Sequence, residues 1–148
     1  MATLEEAQAQ MNYEIAVYRE QISMLKRETE RISLTTIDLS NALHTVENLS
    51  TEKVLVPIGG GALLKAKVTE TRVLVPIGAE YMLEMEKDHA AAELNRRIDA
   101  TRKATEKLNE EFNRIMGKLR EVTSQLQQTE TQAHISERGE ENIKEDYI

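Results

Sequence analysis

From residue 4 to residue 46 every seventh position belongs to one row: Leu4, Met11, Tyr18, Leu25, Ile32, Leu39 and Val46. A second row, Ile15, Ile22, Thr29, Thr36 and Leu43, sits four residues behind it. This 4-3 alternation is the seam of a coiled coil, and it commits the stretch to a long helix laid against another helix. No Pro or Gly interrupts it, and Asn48-Leu49-Ser50-Thr51 supplies the residues expected where a helix stops. The same alternation returns with Leu94, Ile98, Thr101, Thr105, Leu108, Phe112, Ile115, Leu119, Val122, Leu126, Thr129 and Ala133, with one Gly117 inside it. At about 1.5 Å per residue, each segment predicts a helix roughly 65 to 75 Å long.

Two arms of nearly equal length joined by a short centre predict an antiparallel helical hairpin. Setting residue 50 opposite residue 84 brings Thr29 opposite Thr105 and Thr36 within a turn of Thr101, so the polar gaps of the two seams fall at one height. Charged residues such as Lys26, Arg31, Arg97 and Lys103 mostly lie off the seams and read as a solvated face. Beyond about residue 134 the seam fades. The last thirteen residues hold five acids against two bases, which predicts a frayed acidic tail over 135–148.

Between the arms the period changes from 3.5 to 2. The phrase Val54-Leu55-Val56-Pro57-Ile58-Gly59 recurs unchanged as Val73 to Gly78, and the two copies contain both prolines of the chain. Each copy leads into a turn, at Gly59-Gly60-Gly61 and at Gly78-Ala79-Glu80, and then into a second alternating run: Leu64, Ala66 and Val68 in the first unit, Tyr81, Leu83 and Met85 in the second. That is a β-hairpin used twice. Proline cannot donate to a ladder, so Pro57 and Pro76 belong near strand ends or with the missing donor turned from a neighbour. Lys65 and Lys67 on one returning strand match Glu84 and Glu86 on the other, with opposite charge on equivalent strands. Isolated two-stranded hairpins are marginal in water and keep unpaired edges. Residues 54–86 are therefore expected to assemble between subunits, closing sheets into a barrel through Val54, Val56, Pro57, Ile58, Leu64, Val68, Val73, Val75, Pro76, Ile77, Tyr81 and Leu83.

Composition narrows the function. Aromatic residues make up only 3% of the 148 residues and charged residues 30%, which argues against a large globular core. No cysteine is present, so disulfides, thiol nucleophiles and cysteine zinc sites are excluded. A net charge of −7 argues against nucleic acid or anionic membrane as partner, and no apolar run approaches a membrane span. The start, Leu4-Glu5-Glu6, resembles no signal peptide, and cytoplasm is the expected location. The glycine run before Ala62-Leu63-Leu64-Lys65 lacks the Gly-Lys pair and the following Ser or Thr of a phosphate loop, and it leads into a strand. His44, His89 and His134 are scattered without ligand spacing. No catalytic residue, metal or cofactor is expected, and the chain reads as no enzyme.

The order of long helix, two hairpins and long helix, with Val56-Pro57-Ile58-Gly59-Gly60-Gly61-Ala62-Leu63-Leu64-Lys65-Ala66 and its echo Val75-Pro76-Ile77-Gly78-Ala79-Glu80-Tyr81, resembles the α-class subunits of the prefoldin family over nearly the whole chain. The β class carries one hairpin, so the doubling points to the α class. The resemblance implies a hexamer of two α-class and four β-class subunits, with a double β-barrel body and coiled-coil tentacles. Their tips hold unfolded proteins without ATP and pass them to a group II chaperonin. Some α-like relatives form filaments from a single subunit type, which leaves a structural or holdase role as the alternative. An adaptor whose coiled coil binds one folded partner is a third reading.

The expected fold is thus α+β and mostly α: a helix over 1–50, two hairpins over 52–86, a helix over 87–134 and the tail. If the helix pair opens at its free end, Leu4, Met11, Ile15, Tyr18, Leu119, Val122 and Leu126 become the client-binding tip. One such side chain contributes at most about 1.5 to 3 kcal/mol on burial, so capture would rely on several tips acting together.

Overall fold

In a computed structural model, which describes residues 3–145, the chain runs α1 (Leu4–Glu47), β1 (Lys53–Gly59), β2 (Ala62–Lys67), β3 (Val73–Gly78), β4 (Tyr81–Met85) and α2 (Lys87–Glu145). The expected α+β class, two long helices and two hairpins, is what forms. α1 opens on a capping box: the Glu6 amide donates to the Thr3 hydroxyl at 3.2 Å, and the Thr3 amide donates to the Glu6 carboxylate at 2.8 Å. It ends where Asn48 turns back on the His44 carbonyl, its side-chain amide donating at 2.8 Å. α2 continues to Glu145, through most of the stretch expected to be a frayed tail. Gly139 is the one weak helix former between Ile135 and Glu141, and one glycine does not stop a helix. Residues 146–148 of the expected tail lie outside the described residues.

The chain divides into two compact units, one made of residues 1–30 with 106–148 and the other of residues 31–105. In the first unit the buried residues are Ile15, Ile22, Ile115 and Val122, all seam positions. Met11 shares a groove with residues between 124 and 132, and Leu4 shares the next one with residues between 129 and 140. As one helix is followed backwards the other advances, so the two segments are antiparallel.

The second unit holds the hairpins and a core of Val46, Val75, Ala90 and Leu94, with Leu39, Leu43, Val73, Met85 and Ala91 packed on it. The Thr36 and Thr101 hydroxyls are 2.8 Å apart. This contact is the one expected, since the pairing that sets residue 98 opposite Thr36 places Thr101 within a turn of it. Each strand has one partner, giving two separate two-stranded sheets, β1-β2 and β3-β4. Both turns are two residues long with positive φ throughout: Gly60 at 58° and Gly61 at 77°, Ala79 at 47° and Glu80 at 65°. Both registers slip between the proline and the glycine, Pro57/Gly59 and Pro76/Gly78, which leaves Ile58 and Ile77 as bulged residues.

Candidate assembly and client-binding surfaces

The two copies of the repeated phrase meet different surroundings. In the second hairpin Val75 is 3% exposed and Val73 is half-buried, both against the helix core. In the first hairpin the equivalent Val56 is 40% exposed and every residue of β1 is exposed. The connections explain this. Glu86 alone separates β4 from α2, which holds the second hairpin on the helix start, whereas residues 48–52 separate α1 from β1. Side chains contribute as well: Met85 reaches the core from the end of β4, where the first hairpin has the small Ala66.

A side-chain cluster on α2 adds a fastening. The Arg97 guanidinium donates to the Pro76 carbonyl at 2.6 Å and to Glu93 at 2.9 Å. Arg96 grips both oxygens of the same carboxylate, at 2.9 and 2.6 Å. Hydrogen bonds from Arg96 first and Arg97 second hold the Glu93 carboxyl down to a pKa of about 2. Farther along α2, Glu111 is held ionised below the usual range chiefly by its hydrogen bond to Arg114.

Of the residues expected at the assembly surface, Val54, Val56, Ile58, Leu64, Ile77, Tyr81 and Leu83 are exposed apolar side chains, and Pro57 and Pro76 are exposed beside them. Val68 is half-buried. Val73 and Val75 are corrected: they face the core of their own chain, because the short β4–α2 link turns that side of the sheet inward. Leu55, Leu63, Leu74 and Met82, on the opposite face of the sheets, are exposed as well and were not expected. Their alternation with the first set made them look like solvent-side positions, and they share their face with Lys65, Lys67 and Glu84.

At the candidate tip, Leu4 is 52% exposed, while Met11, Tyr18, Leu119 and Leu126 are half-buried. Ile15 and Val122 are buried at 7% and 8% in the seam. Tyr13, Ile135 and Ile143 are exposed and were missed. Tyr13 sits off the seam, where an aromatic residue in a chain with so few of them was the available signal. Among the described residues, no group of three acidic or histidine side chains is placed to hold a metal, and no helix is long and apolar enough to cross a membrane.

These features have counterparts in known proteins. Residues 18–132 match the family model described as Prefoldin subunit. The prefoldin subunit alpha of Methanococcus aeolicus is 33% identical over 97 residues, 64% of this chain and 67% of that one. The prefoldin subunit alpha of Methanoregula boonei is 29% identical over 127 residues, 83% of each chain. Among solved structures, a filamentous PFD from Methanocaldococcus jannaschii superimposes with a TM-score of 0.64 at 24% identity, over 77% of this chain and 98% of that one. A prefoldin beta subunit from Thermococcus strain KS-1 gives 0.63 at 20% identity, over 86% of this chain and 96% of that one. With its helix, doubled hairpin and helix matched in both sequence and fold, the chain belongs to the prefoldin family of chaperone subunits, in its α class.

Proposed function

We propose that this chain is the α-type subunit of an ATP-independent co-chaperone, which joins β-class subunits through its hairpins and captures unfolded proteins at the free ends of its helix pair. The observation that carries the reading is the exposure of apolar residues on both faces of the first hairpin, Val54, Leu55, Ile58, Leu63 and Leu64, in a family of chaperone subunits. Single-sheet apolar surface of that kind calls for cover by other chains, and a barrel of two α-type with four β-type subunits supplies it. Clients then meet several helix ends at once, where weak contacts add through effective concentration. Cytoplasmic delivery to a group II chaperonin completes the role.

Among the tip residues, Leu4 is open to a client as the helices stand. Ile15 and Val122 become available only when the pair parts, so capture by the full set of Leu4, Met11, Ile15, Tyr18, Leu119, Val122 and Leu126 requires fraying. Removing residues 1–12 together with those beyond 120 should leave assembly intact and abolish suppression of client aggregation. Unchanged suppression would sink the tip assignment. Mixing with a β-class subunit should yield one hexameric mass.

A second reading is a homo-oligomeric filament with a structural or holdase role, favoured by the fold shared with the filamentous protein of Methanocaldococcus jannaschii. Long heterogeneous assemblies of this chain alone, unaffected by a β-class subunit, would select it.

A further inference from the structure

We infer that the first hairpin is an ordering element: in the free chain it opens and closes on its own, while the second hairpin is locked to the helices from the start. The inference rests on reading the hairpins as the assembly element and adds the state of each one before assembly. The chain supplies its own comparison, because both hairpins share the leading phrase, the bulge after proline and a two-residue turn. In the second, Val73 and Met85 are ladder partners, and both pack on the core that holds Val75 at 3% exposure. Arg97 adds its 2.6 Å bond to the Pro76 carbonyl. This ladder cannot open without disturbing the helix core, so its protection approaches that of the whole fold.

The first hairpin is held differently at each of these points. β1 is exposed along its whole length, and within β2 only Ala66 is half-buried. Val54 pairs with that small Ala66 where Val73 pairs with Met85. Lys53 stands directly opposite Lys67, so like charges meet near the end where the hairpin joins the chain. At the other end Gly59, Gly60 and Gly61 all take positive φ, and a run of three glycines has the most backbone freedom to lose when the ladder closes. A two-stranded ladder supported only by itself is marginal in water. The first hairpin therefore opens locally while the helices and the second hairpin stay folded. Covering its exposed Val54, Leu55, Leu63 and Leu64 stabilises the closed form, so part of the energy of assembly goes into ordering this segment.

The test is peptide-resolved hydrogen exchange of the full-length chain over a dilution series, with its mass followed by sedimentation velocity. At the lowest concentration the ladder amides of residues 53–67 should exchange within about tenfold of the unstructured rate, and those of 73–85 at least about a hundredfold more slowly. Protection of 53–67 should then rise in assembled samples. Gly60→Asn suits the φ of 58° at that position and should slow exchange in 53–67 alone, by about twofold to fivefold. A hairpin that opened only with the whole fold would share that gain with 73–85 and the helices. Arg97→Gln, its helix content checked by circular dichroism, should speed exchange in 73–85 and leave 53–67 as it was. First-hairpin protection equal to the second's at the lowest concentration would overturn the inference, as would a first hairpin still unprotected in an assembled sample. So would a Gly60→Asn gain that is absent or spread over the chain, or an Arg97→Gln variant that leaves 73–85 unchanged or loosens both hairpins equally. Suppression of client aggregation by the parent is measured alongside. Its absence would count against the chaperone reading, whereas the exchange data judge the hairpins.

Discussion

Thr36 and Thr101 place their hydroxyl oxygens 2.8 Å apart across the helix pair, and each also reaches a carbonyl of its own helix, that of Ile32 at 2.9 Å and that of Ile98 at 2.8 Å. Both hydroxyls are therefore satisfied inside the seam. One bond between neutral groups contributes about 0.5 to 1.5 kcal/mol. A double-mutant cycle with Thr36→Val and Thr101→Val, read by urea unfolding, should return a coupling of about 0.5 to 1.5 kcal/mol. Zero coupling would mean that the neighbouring aliphatic residues set the register without help.

The repeated phrase supplies a matched pair of substitutions. Val75→Ala opens space in a closed core and should cost about 1 to 2.5 kcal/mol. Val56→Ala acts on an exposed side chain and should change the stability of the isolated chain by less than about 0.5 kcal/mol. Equal losses in urea melts would show that the first hairpin has its own seat on the helices.

The second turn is open to improvement. Ala79 and Glu80 both adopt positive φ, a conformation that disfavours residues with a Cβ. Replacing them by Asn and Gly, the pair suited to this turn, should raise stability by about 1 kcal/mol. A lower melting temperature would contradict the turn geometry.

Gly117 lies inside α2 with nothing within 4 Å of an added methyl group. Gly117→Ala should stabilise the helix by about 0.5 to 1 kcal/mol, measured by thermal unfolding.

The Glu93 carboxyl, ordinarily near 4.5, titrates at about 2 because of its bonds to Arg96 and Arg97. A depressed pKa in the folded chain means that its contribution is fully present above the ordinary value and is lost as pH falls toward 2. In Glu93→Gln the part of acid destabilisation between pH 4.5 and 2 that belongs to this group should vanish. Carboxyl chemical shifts followed through an acid titration would report the native value directly, and a midpoint near 4 would refute it.

The seam residues were legible because burial follows their period: Ile15, Ile22, Val46, Leu94, Ile98, Ile115 and Val122 are all buried positions on it. The hairpins were legible from alternation and from the glycines that turn them. The helix pairing was legible to within a turn, since a heptad pattern fits equally well when slid by that much, and the contact of Thr36 with Thr101 falls inside that range. The inward seat of Val73 and Val75 was hidden. Six identical letters carry no mark of which copy lies against the helices, and the difference arises from the residues that follow each hairpin. The capping box was overlooked because its first member, Thr3, precedes the first seam residue.

The unequal connections at the two helix ends have a mechanical meaning. A pull along α2 reaches the second hairpin through the single residue Glu86, backed by the grip of Arg97 on Pro76. A pull along α1 must first straighten residues 48–52, a link that spans at most about 17 Å when fully extended. One helix is a lever on its hairpin and the other holds its hairpin on a leash, so tension along the helices is felt first by the second hairpin.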